Sequence, residues 1–161
     1  MAFAASTAPH DLGRSPGDME SMKMGITKIY KGDLVVIKTN GYAYSVYETG
    51  AAGDQFVGVA AETVDNLTNA VGATAALGEK EIRVWLEGIF TFDVAASTIG
   101  TDLGLTVYAT EGTTTDGPRM VITAAPGAHP FIVGVITKLL GDVTAATTCR
   151  VRISSFSAVA A

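Results

Sequence analysis

From Tyr30 onward the apolar positions fall in short runs broken by Gly, Asn, Asp and Pro, and no apolar stripe at helical spacing reaches ten residues. Leu34-Val35-Val36-Ile37 is one such run, and Asn40-Gly41 follows it. That dipeptide favours a hairpin turn because both residues tolerate positive φ. Tyr42–Tyr47 is aromatic and strand-like, and Phe56–Ala60 is the next run. Glu81–Leu86 alternates polar and apolar, and Ile89–Phe92 continues it across Gly88, where a bulge or sharp bend is expected. Leu105–Tyr108, Met120–Ile122, Ile132–Ile136 and Cys149–Ile153 complete the set. About nine short strands at regular spacing predict an all-β fold, a small barrel or sandwich. Residues 62–80 are polar and rich in Ala and Gly. They predict a long loop with one short helix around Thr74–Leu77.

The runs repeat. Phe56-Val57-Gly58-Val59-Ala60 matches Ile132-Val133-Gly134-Val135-Ile136. Gly32–Val36 matches Gly104–Tyr108 upstream, and Ile82-Arg83-Val84 matches Cys149-Arg150-Val151 downstream. Two related halves pairing across one barrel would produce this pattern.

Residues 1–28 follow neither period. They hold Pro9, Pro16 and several Gly and Ser/Thr, with Phe3, Met19, Met22 and Met24 as adaptable apolar groups. Arg14, Lys23 and Lys28 balance Asp11, Asp18 and Glu20. Two readings stand side by side: a frayed terminus, or an extended arm that orders on a partner, with Phe3, His10, Arg14, Met19, Met22 and Met24 as contacts. The division is therefore an arm, 1–28, and a β-domain, 29–161.

Composition narrows the function. The chain has 161 residues, enough for one core without disulfides, and it is 48% hydrophobic but only 17% charged. Such a chain suits burial of surface against copies of itself or a larger assembly. Its 11 Lys+Arg against 16 Asp+Glu give a net charge of −5 with no basic cluster. Nucleic acids and anionic membranes are poor partners for it. The lone Cys149 excludes an internal disulfide and reads as a small buried hydrophobe. No apolar run approaches the length of a membrane-spanning helix, and the first residues lack the basic start of an export signal, so synthesis in a cytoplasm is expected.

Catalytic chemistry finds no constellation. His10 and His129 have no second ligand at metal spacing, and neither a nucleophile elbow nor a phosphate-binding Gly loop occurs. The expectation is a protein without catalytic residues, metal or cofactor. Trp85 reads as core or subunit-interface packing, with a sugar-stacking platform as its alternative, which Tyr42, Tyr44 and Tyr47 would extend. Arg150 and Arg152 share one face of the last long strand, either solvated or in a subunit salt bridge.

Four segments in order carry a family resemblance: Lys28-Ile29-Tyr30-Lys31-Gly32-Asp33-Leu34-Val35, Val57–Asn66, Ile82–Phe90 and Val133-Gly134-Val135-Ile136. Over residues 28–153 the chain resembles the capsid cement, or head decoration, proteins of tailed bacteriophages. The resemblance implies a small β-barrel or β-tulip-like domain that binds the outer surface of the mature head. It implies the major capsid protein as partner, a homo-oligomer, most often a trimer, and an N-terminal segment lying along the shell. A surface carbohydrate-binding β-module is the competing expectation.

Overall fold

The computed structural model describes residues 18–46, 53–98, 103–110, 119–121, 131–141, 146–155 and 157–158. Among them there is no α-helix; the chain is all-β and almost wholly antiparallel. In chain order the strands are β1 (Met19–Lys23), β2 (Lys28–Ile29), β3 (Leu34–Ile37), β4 (Ala43–Ser45), β5 (Gln55–Ala60), β6 (Val64–Asp65) and β7 (Glu81–Trp85). They continue with β8 (Ile89–Thr98), β9 (Thr106–Thr110), β10 (Arg119–Val121), β11 (Ile132–Leu140), β12 (Ala146–Ile153) and β13 (Ser157–Ala158). One sheet runs β1-β7-β5-β3-β4, with β13 added to β5. The other runs β10-β8-β12-β11-β9 and returns to β10. β2 and β6 form a separate two-stranded ladder.

The two orders are the same order. The sheet β1-β7-β5-β3-β4 and the sheet β8-β12-β11-β9-β10 superpose strand for strand in pairing, and the registers agree residue by residue. Leu34, Val35 and Val36 face Val59, Gly58 and Phe56. Thr106, Val107 and Tyr108 face Val135, Gly134 and Ile132 in the second sheet. Each ladder skips one residue, Val57 and Val133, so both middle strands carry the same bulge. The turn before the first strand is held alike: Gly32 N–H donates to the Ala60 carbonyl at 2.9 Å, and Gly104 N–H to that of Ile136 at 2.9 Å. The outer strands agree too, since Trp85 faces Val59 and Met19, while Arg152 faces Val135 and Ile89. Even the parallel closure recurs. Met120 pairs parallel with Val94 in the second unit, and Met24 forms a parallel bridge to Ala43 in the first.

The internal repeat is therefore a tandem duplication of a five-stranded unit, joined through Leu86-Glu87-Gly88. The structure corrects one part of the expectation. The halves do not share one ring: the second sheet returns on itself, the ends of the first meet only at the Met24–Ala43 bridge, and the late strand β13 crosses over to pair with β5 of the first sheet.

The bulge explains why the middle runs are continuous rather than alternating. Val57 and Ala60, three apart, both enter the cluster of Met24, Ile29, Val35, Ala43, Ile82 and Val84. Phe56 and Val59 enter the other cluster, beside Leu34, Val36, Phe90 and Phe92. A regular strand puts residues three apart on opposite faces; the extra residue restores them to the same one. Covered on both faces, β3 and β5 need apolar side chains at nearly every position. Val133 and Ile136 repeat this geometry in β11, and both lie in the larger cluster with Val107, Cys149 and Val151.

Gly58 and Gly134 follow from the same device. A Cβ on Gly58 would stand 2.0 Å from the Trp85 carbonyl oxygen, and one on Gly134 would stand 1.9 Å from that of Arg152. Only glycine lets the backbones approach so closely. The Asn40-Gly41 turn also forms: Gly41, at φ 82°, donates to the Lys38 carbonyl, and Lys38 N–H donates to that of Tyr42.

Two expectations are corrected. Residues 74–77 are not helical, because Thr74 bridges Thr68 across a small hairpin. The arm does not extend to residue 28 either. β1 pairs in register with β7 from Met19↔Trp85 to Lys23↔Glu81, and Met24 is fully buried. Residues 18–28 belong to the folded body. Of the methionines that looked like arm residues, Met19 and Met22 lie in β1 and Met24 follows it, bridged to Ala43.

Candidate functional site

Of the expected arm contacts, Phe3, His10 and Arg14 lie outside the described residues. Met19 is exposed on β1, and Met22 is half-buried against the smaller cluster. Met24 closes the first ring from inside the core, so it is a packing residue and not a docking contact. The arm contacts within the described chain thus reduce to Met19 and the flank of Met22.

The expected interface residues sit at equivalent places in the two units. Trp85 ends β7, half-buried against the larger cluster. Arg152 is its counterpart on β12, exposed, as is Arg150. Arg150 lies opposite Lys138. The outer face of β11–β12 therefore carries three cations on a net acidic chain. An open cleft of about 490 Å³ lies where the units join. Its walls are Leu86, Glu87, Gly88 and Ile89 on one side and Arg152, Ile153, Ser154 and Ser155 on the other. Leu86–Gly88 and Ile153–Ser155 are equivalent segments of the duplication, so the cleft is built from both units at once. It offers one carboxylate, one guanidinium and two hydroxyls.

Among the described residues, Tyr44 and Trp85 of the sugar-binding alternative are engaged in packing. The Tyr44 ring rests over Gly25, receives the Lys38 ammonium 4.0 Å from its centre, and its hydroxyl accepts from Asn40 Nδ2 at 3.3 Å. Tyr42 is half-buried, and Tyr47 lies outside the described residues. A stacking platform needs a free ring face, which neither Tyr44 nor the half-buried Trp85 presents openly.

Cys149 is fully buried. Burial pushes its thiol up to about 11, and the Asp93 carboxylate adds to the rise, so it stays protonated and unreactive at neutral pH. Glu62 moves the other way. Its hydrogen bonds to the Arg83 guanidinium, 3.0 Å from Nε and 3.0 Å from Nη2, hold its carboxyl below the usual range.

The 62–80 segment is the surface that sequence reasoning left without a role. It is tightly organised. Asn66 is buried and donates from Nδ2 to the carbonyls of Gly25 at 2.9 Å and Ala76 at 3.2 Å. Asn69 Oδ1 accepts from Val71 N–H at 3.1 Å and Ala73 N–H at 3.0 Å, and Gly72 supplies the positive φ at the tip. Glu79 Oε2 accepts from Ala76 N–H at 2.8 Å, and Lys80 Nζ donates to the Asp65 and Thr68 carbonyls. The Asn, Asp and Gly residues that merely signalled a loop are its internal ties.

Comparison with family models, with curated proteins and with solved structures finds no match to this chain.

Proposed function

We propose that the protein is a capsid cement protein that binds the outer surface of a tailed-phage head, as a homo-oligomer and most often a trimer, and bridges neighbouring major capsid subunits. In this reading each five-stranded unit is a small β-barrel, and the protein works by buried area and repetition without catalysis. Residues 1–17 are the docking arm. The reading rests on the resemblance of four ordered segments to those of head decoration proteins. In the fold those segments form the turn into β3, strand β5 with its bulge, β7 with the crossing at Gly88, and strand β11. The low charge of 17% supports it, since a surface packed against a shell needs little solvation. Three arms on one trimer act multivalently, so each contact can be weak on its own.

The test is density-gradient fractionation of the source lysate with detection of this chain. Co-migration with DNA-filled particles, near stoichiometric with the main shell protein, is the expected result. Recovery only in soluble fractions, with intact particles banding elsewhere, overturns the reading. Arm deletion then removes residues 2–17 and not 2–28, because residues 19–24 complete the first ring.

A further inference from the structure

The duplication provides an internal control for every insertion. From Ala60 to Val84 the first unit spends 24 positions between β5 and β7; the second spends 15 from Ile136 to Val151 between β11 and β12. Both units close with the same pairing, so the extra residues of the 62–80 loop are not needed to build the sheet. Yet the loop is fixed by the ties of Asn66, Asn69, Glu79 and Lys80. Among the side chains it holds out to solvent are large aliphatic ones: Val71 at the tip is 87% exposed, Leu67 and Leu77 46% each, and the adjoining Ile26 40%. Its inner side, with Val64, Asn66 and Ala75, covers the smaller cluster, while the branched aliphatic side chains it displays outward from a tied backbone form an interaction surface.

The charges around it are already answered within the chain. Lys28 meets Asp65 at 3.7 Å, Arg83 meets Glu62 at 3.0 Å, and Lys80 and Glu79 are held by backbone groups. The loop's carboxylates Glu62, Asp65 and Glu79 are matched in number by Lys28, Lys80 and Arg83, so the surface offers apolar contact with little net charge and suits neither a polyanion nor an acidic membrane. Its size limits the partner further. Four partly exposed aliphatic side chains amount to a few hundred Å², whereas a stable pairwise complex needs roughly 800 Å² from each partner. A second copy of this chain would not be held by so little. A surface that repeats many times in a fixed array would be, because several loops of one oligomer engage it together.

Building on the capsid reading above, we propose that Ile26, Leu67, Val71 and Leu77 form a docking contact to an uncharged apolar spot that recurs on the outer face of the shell protein. The contact is separate from the arm, lies on the first unit alone, and is insensitive to salt.

The experiment uses the full chain and capsids of the source virus stripped of it. Binding is measured by co-sedimentation for the unaltered protein, V71D and the double variant L67S/V71D, in 50 and 500 mM NaCl. Melting temperature and mass by light scattering accompany each. The expected result is at least a tenfold loss of affinity for the double variant, a smaller loss for V71D, unchanged mass and melting, and binding of the unaltered protein that varies less than threefold with salt. Undiminished binding by L67S/V71D overturns the proposal. So does a fall in oligomer mass with capsid binding per subunit intact, which would assign the loop to a second copy of the chain. Failure of the unaltered protein to bind at all strikes the capsid reading itself and is thereby told apart from failure of the loop.

Discussion

Replacing Gly58 or Gly134 by alanine tests the duplicated geometry most directly. Each new methyl would stand about 1 Å inside the closest approach that real side chains make to a carbonyl oxygen, 2.0 Å from Trp85 O or 1.9 Å from Arg152 O. The obstacle is backbone in both cases, so no rotamer change relieves it. The middle strand must move away from its partner, stretching the ladder beside Val59↔Trp85 or Val135↔Arg152. Overpacking of this kind costs ~1–3 kcal/mol, and each weakened hydrogen bond adds ~1 kcal/mol. The reduced freedom of the unfolded chain returns ~0.5–1 kcal/mol. The net expectation is a loss of about 2–4 kcal/mol for either variant. Gly41→Ala is the control: nothing lies within 4 Å of its Cβ, but its φ is +82°. It should lose only about 1–2 kcal/mol through left-handed backbone strain. Urea unfolding at constant m reports the differences. If G58A or G134A lost less than G41A, the close approach of the strands would be refuted. If one were costly and the other harmless, the equivalence of the two units would fail.

Asn66→Ala removes the two bonds that pin the loop to Gly25 and Ala76, and should cost ~2–3 kcal/mol by urea unfolding. The Cys149 thiol should resist a maleimide or disulfide reagent at pH 8 in the folded protein and react promptly in denaturant. Because its folded pKa is raised, its contribution to stability is complete below the thiol's unfolded pKa. It is lost as pH rises through about 11, so Cys149→Ala or Ser should flatten the alkaline limb of the stability profile. The Glu62 carboxyl has the opposite sign: its depressed pKa gives stability present above the unfolded value and lost as pH falls through the folded one. Glu62→Gln should therefore blunt the acid limb only slightly, since the pair is solvent-exposed and screened.

The all-β class was legible because short runs with turn residues between them admit little else. So was the duplication, in the shared Val-Gly-Val segments. The strands of the first unit were harder. β1, Met19-Glu20-Ser21-Met22-Lys23, has no period-two apolar pattern, because it lies on the outside of β7 with only Met22 turned to the core. Nothing local marks such a strand; its partner 60 positions later does. The bulge was equally hidden, since continuous apolar runs arise from double-sided burial with or without one. Trp85 and Arg152 were singled out for separate reasons, and only the register shows them to be the same position in two copies. The sequence of 62–80 leaves the role of the loop open, because its few aliphatic residues are diluted among Ala, Gly and Asn. Their exposure depends on a network of side-chain ties that sequence order does not display.

The return of the second sheet upon itself has a consequence for life at high density. A strand with an unpaired flank is a template for other chains, and any concentrated population of one protein presents that template from copy to copy. In the unit β10-β8-β12-β11-β9 every strand has a neighbour on both sides, the last gap being closed by the parallel pairing of β10 with β8. Such a unit can be crowded without zipping into fibres, and contact between neighbours is left to side chains, which can be tuned one at a time.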